Sequence, residues 1–150
     1  MSYFSLKNYD DAISYYNKLI SLFPKHNLCG DAFYSIGECL YQQEKFQECI
    51  IAMKNFSQKY SNDELVSSAQ FLIGQCYFRT KSFTDAIASF NHIIQNHSKS
   101  SLSIQSYLKI GDCFYNLKQY EEALEKYKEI IKIAPKGEFA DDAAYNIEWC

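Results

Sequence analysis

The chain has 150 residues, 47% of them hydrophobic, enough for one domain of ordinary size that buries roughly 70% of its unfolded surface. Its formal net charge is −3, and Arg79 is its lone arginine, so no basic face for a phosphate backbone stands out and nucleic acid is excluded as an expected partner. No run of 18 apolar residues occurs and Asp10 and Asp11 interrupt the N-terminal stretch, which excludes a membrane-inserting segment and a signal-peptide core.

In chain order the apolar residues recur at intervals of three and four, the period of amphipathic helices. The helices come in pairs, A and B. The chain opens inside a helix A, because by spacing Met1 is equivalent to Glu38, and helix B follows from Tyr9 until Pro24. The next helix A carries Ile36, Gly37 and Leu40, turns at "QQEK", and leads to a helix B with Phe46, Ile50 and Met53 that ends before Ser61. The third pair turns at "RTKS" and its helix B ends before Ser98. The fourth turns at "NLKQ" and ends before Pro135, and "DDAAYNIEWC" starts a last helix A. Proline cannot continue a helix, which places the boundaries.

The interval between copies is 37 residues, set by Gly37, Gly74 and Gly111 and by Cys39, Cys76, Cys113 and Cys150. Ala12, Ala86 and Ala123, with Cys49 among them, follow the same interval, as do Tyr9, Phe46, Phe83 and Tyr120. Each glycine weakens helix A by about 1 kcal/mol relative to alanine, so three in register imply close approach of helix B. Leu28, Leu65, Leu102 and Phe139 are also in register, so helix A starts about one turn early. The chain spans about four such periods and is expected to be a fragment of a longer array. Its periodic cysteines read as packing residues, and all six as reduced thiols, which favours a cytoplasmic setting; the periplasm remains open for a fragment.

This pattern resembles the tetratricopeptide repeat. Ile36-Gly37, Ile73-Gly74 and Ile110-Gly111 match its Leu-Gly pair, and Ala12, Ala86, Ala123, Phe90, Pro24 and Pro135 fall where its signature wants them. The departures are Glu148 in place of Gly, Ser in two Pro positions, and a long repeat similar to that of bacterial envelope-associated members. The resemblance implies an all-α solenoid of tandem antiparallel helix pairs. It also implies a non-catalytic scaffold for a protein or peptide partner.

The family's peptide-facing positions, carried onto this chain, are Tyr34, Glu38, Tyr41 and Gln42; Phe71, Gln75, Phe78 and Arg79; and Leu108, Asp112, Tyr115 and Asn116. Their aromatics either line a peptide groove or seal contacts between successive A helices. Members that bind chaperone tails hold a terminal carboxylate with Lys, Asn and Arg; Tyr34, Phe71 and Leu108, with Glu38, Gln75 and Asp112, do not make such a clamp.

No Ser-His-Asp grouping, phosphate-binding loop or dinucleotide fingerprint is present, so no catalytic residue and no cofactor are expected. His26 and Cys29 are too few for a metal site, and His92 and His97 diverge around a helix. The glycosylation-like triplets at Asn55 and Asn96 lie late in helix B, and Glu121-Glu122 and Asp141-Asp142 complement helix N-termini. Two other readings stay open: a self-assembling segment joined weakly head to tail through "SYFSL" and the uncovered Tyr145, Ile147 and Trp149, or a regulatory region of a larger enzyme or secretion component.

Overall fold

The computed structural model describes residues 3–96 and 101–150, with side chains from Asn8 onward. Among them are eight helices: α1 (Tyr3–Leu22), α2 (Cys29–Gln42), α3 (Phe46–Lys59), α4 (Val66–Arg79), α5 (Phe83–Asn96), α6 (Ser101–Asn116), α7 (Tyr120–Ile133) and α8 (Glu138–Glu148). His97, Ser98 and the side chains of "SYFSL" lie outside what is described. The chain divides into two compact units, Met1–Cys76 and Tyr77–Cys150.

In the first unit α2 packs on both α1 and α3. The expected turn before Tyr9 is not there: α1 runs unbroken from Tyr3 to Leu22. A turn needs a residue in the left-handed region, at a cost of about 1–2 kcal/mol, and elsewhere the helix it folds back repays that cost by packing on its partner. Here residues 3–8 continue the helix instead. It ends one residue short of Phe23-Pro24, as the proline requires.

The core of this unit is the stripe read from the three–four spacing. Ile36, Leu40, Cys49, Ile50, Met53 and Phe56 are buried, as are Ala69, Leu72, Ile73 and Cys76 of α4. A methyl group added at Gly37 would land on the side chain of Met53. The glycine is there because helix B lies against it.

In the second unit α6 packs on α5 and α7, and α8 packs on α7 and α6. Ala123, Tyr127, Ile130 and Ala143 form a buried cluster, with Leu108, Phe114 and Ile147 against it. Gly111 repeats the role of Gly37, since a methyl group there would meet the ring of Tyr127.

The turns between paired helices share one geometry. Glu44, Lys81 and Lys118 have φ of 61°, 61° and 62°. The following amides reach back five residues, Lys45 N–H to Leu40 C=O at 2.9 Å, Ser82 to Tyr77 at 2.8 Å and Gln119 to Phe114 at 2.9 Å. These bonds cap carbonyls that the helix end leaves open, the Schellman arrangement. An aromatic pair then closes each turn: Tyr41 on Phe46, Phe78 on Phe83 and Tyr115 on Tyr120, with ring centroids 5.6, 5.5 and 5.4 Å apart.

Candidate binding cleft in the C-terminal unit

The cleft is built from the α4 end, α6, α7 and α8, and has a volume of about 440 Å³. Five aromatic residues line it: Phe78, Tyr115, Tyr127, Tyr145 and Trp149. Tyr145 and Trp149 are 62% and 63% exposed, with ring centroids 6.0 Å apart. They stand four apart at the end of α8, with Trp149 as its C-cap residue in helical conformation, a spacing that puts the two side chains on one face.

The polar part of the lining is Asp112, the Asn116 and Asn146 amides, and the inner side chain of Tyr127. Asp112 is held on both sides: the Tyr127 hydroxyl donates to its Oδ1 at 3.1 Å and Lys109 Nζ to its Oδ2 at 3.0 Å. Burial, and then the charge of Asp112, push the Tyr127 hydroxyl well above the usual range for tyrosine. The carboxylate is thus a fixed negative group at the cleft wall. The Asn116 amide donates to the Asp112 carbonyl at 2.7 Å. Lys109 Nζ stands 5.7 Å from the centroid of the Phe78 ring.

Of the residues expected on the ligand face, the structure brings Phe78, Asp112, Tyr115 and Asn116 together here. Leu108 instead packs against the Tyr127 cluster, because its apolar side chain is turned into the unit's core. Arg79 is exposed at the end of α4. In the first unit Phe71 and Gln75 are half-buried on α4. Tyr34 is half-buried with its ring 6.4 Å from that of Phe56, and burial followed by the nearby Glu38 raises its pKa. Partial burial also raises the Glu38 carboxyl, although that residue lies at the surface beside exposed Gln42. Tyr41, like Phe78 and Tyr115, packs on the aromatic that opens the next helix of its own pair.

Tyr145 and Trp149 were absent from the expected ligand face, yet the signal was present. Each lies 37 residues after Leu108 and Asp112 respectively, so one more step of the same spacing reaches them. Asn146 and Tyr127 carry no such signal, since only packing shows that they turn toward the cleft.

The remaining candidates are occupied otherwise. The Cys29 thiol donates to the Phe23 carbonyl at 3.0 Å, and His26 Nδ1 accepts from the Leu28 amide at 3.2 Å, so the two do not converge on a common point. Buried Cys49 donates to the Gly37 carbonyl at 3.2 Å. A hydrogen bond with Cys76, and then burial, hold its pKa far above the thiol range.

The tetratricopeptide repeat family profile matches residues 65–136, and a second profile of the same description matches residues 1–26 and 31–63. No curated protein sequence matches the chain. Among solved structures, the crystal structure of YrrB, a tetratricopeptide repeat protein with an unusual peptide-binding site, superposes with a TM-score of 0.71 at 21% identity, over 93% of this chain and 67% of YrrB. MamA from Desulfovibrio magneticus RS-1 (residues 41 to the end) gives 0.68 at 16%, over 85% and 67% of the two chains. The tetratricopeptide domain of Arabidopsis OM64 gives 0.66 at 12%, over 80% and 94%. At these identities the likeness is one of fold. With family profiles covering most of its length and paired helices throughout the described residues, the chain belongs to the tetratricopeptide repeat family, whose all-α helical repeats serve as scaffolds for protein interaction.

Proposed function

We propose that the chain is a non-catalytic scaffold that binds a peptide or helix of a partner protein, and that the ligand docks in the C-terminal cleft. One observation carries the reading: five aromatic residues meet in a single cleft, and two of them, Tyr145 and Trp149, stay mostly exposed. Aromatic side chains with large exposed area are the usual energetic anchors of interfaces, while peripheral polar groups mainly select. Phe78, Asp112 and Tyr115 are the binding positions of this reading that sequence and geometry share. Nothing in the cleft pairs a nucleophile with a base, and Tyr127, the one hydroxyl bonded to a carboxylate, is held as the neutral donor.

Trp149 is the chain's single tryptophan, so its fluorescence reports directly on the cleft. Peptides selected from a random library on the folded chain are expected to shift its emission on titration, and Tyr145→Ala to weaken them at least about tenfold, or 1.4 kcal/mol. Tight peptides that leave Trp149 emission unchanged and bind the Tyr145→Ala chain equally well would place docking elsewhere.

A further inference from the structure

The charge inside the cleft is one-sided. Among the described residues of the lining Asp112 alone is formally charged, and the other walls are aromatic rings, amides and phenols. Aromatic rings present negative faces and attract cations, more strongly where water is displaced. Each Asp112 oxygen has one protein partner, Tyr127 or Lys109, and a carboxylate oxygen offers two acceptor sites. The same chemistry stands beside the cleft: the ammonium of Lys109 bonds Asp112 at 3.0 Å and lies 5.7 Å from the Phe78 ring. Lys109 does not line the cleft itself.

We propose that the cleft selects an arginine side chain of the bound peptide, its guanidinium resting among the Tyr145, Trp149 and Tyr115 rings and donating to Asp112. Arginine fits better than lysine because its planar, weakly hydrated fork both stacks on rings and donates to a carboxylate. The cleft's amides serve the same end. Asn116 spends its donor on the Asp112 backbone carbonyl, which leaves its carbonyl oxygen as an acceptor for a further N–H of the guanidinium. A carboxylate ligand, by contrast, would meet the Asp112 carboxylate at the wall, and the ammonium nearest to it, that of Lys109, is already bonded to Asp112 and does not line the cleft.

This inference rests on the cleft being the docking point, and the experiment separates the two. An apolar pentapeptide with a central arginine and its twin with citrulline, the neutral isostere, are titrated against the intact chain while Trp149 emission is followed. The arginine peptide is expected to bind at least tenfold tighter, with an advantage that shrinks as salt is raised. Asp112→Asn should erase that advantage. Lys109→Gln, which removes the competing internal cation, should enlarge it, and this opposite sign is not what loss of structure would produce. Circular dichroism checks that each variant is folded, and Lys109→Gln keeps the test decisive if Asp112→Asn is not. Equal binding of the two peptides, both shifting Trp149, would overturn the arginine inference and leave the docking reading intact. Binding by neither would overturn both.

Discussion

Gly37 and Gly111 occupy the same place in their helices and meet different neighbours. A methyl group at Gly37 would press on the far end of Met53, an unbranched and flexible side chain; one at Gly111 would strike the ring of Tyr127, whose hydroxyl is tied to Asp112. Alanine also gains about 1 kcal/mol of helix propensity over glycine. Gly37→Ala is therefore expected to be close to neutral. Gly111→Ala should cost about 1–3 kcal/mol through overpacking, and should also loosen the Asp112 bond at the cleft. Urea melts of the two variants measure the difference; equal midpoints would mean that Tyr127 yields as easily as Met53.

At the scale of the helix pair, the turns are the point where local preference and fold disagree. Glu44, Lys81 and Lys118 take a left-handed conformation that favours glycine, and they do so because the two helices they join must close on each other and the capping bonds require it. Replacing Lys118 by Gly is expected to stabilise the chain by about 1 kcal/mol, since its side chain is exposed and the left-handed strain is relieved. Lys118→Ala, which keeps the strain, should change little. A melting midpoint that falls for the glycine variant would refute this account of the turns. The same scale explains α8. Tyr145 holds the register position of Leu108, yet Leu108 is packed on the Tyr127 cluster and Tyr145 is largely exposed. Its ring stands beside that of Trp149 in the cleft instead.

For the molecule as a whole, the cysteines set an alkaline limit. Burial, and then the neighbouring Asp112, push the Cys113 thiol from its usual value near 9 up to about 12. Tyr127 and Cys49 are raised as well. In the unfolded chain these groups lose their protons at ordinary values, so above pH 9 the unfolded state binds fewer protons than the native one and stability falls with rising pH. Below pH 9 they are neutral in both states and contribute no slope. The melting temperature should accordingly hold steady from about pH 7 to 8.5 and drop between about pH 9 and 12. Cys113→Ala should lessen the drop, as scanning calorimetry across that range can read, and a slope unaltered by the substitution would assign the alkaline loss to other groups.

Much of this architecture was legible in the chain because repetition makes a weak local signal strong. Ile36-Gly37 alone says little, but the recurrence of Ile-Gly at Ile73 and Ile110, with a small residue twelve positions on, marks helix pairs, their buried faces and the close contact at the glycine. The turn positions were legible too, while their left-handed geometry was not, since Glu44, Lys81 and Lys118 carry no glycine signal. Likewise the family's ligand-facing positions put Phe78 on one helix A, and Asp112 and Tyr115 on one face of the next, where spacing along a helix determines facing. Only tertiary structure decided that Leu108, from the same face, belongs to the core, that Lys109 and Tyr127 hold Asp112, and that Tyr145 and Trp149 complete the cleft. Periodicity reports which side of a helix a residue occupies, whereas the neighbour it meets depends on how separate helices pack, and that is a property of contacts distant along the chain.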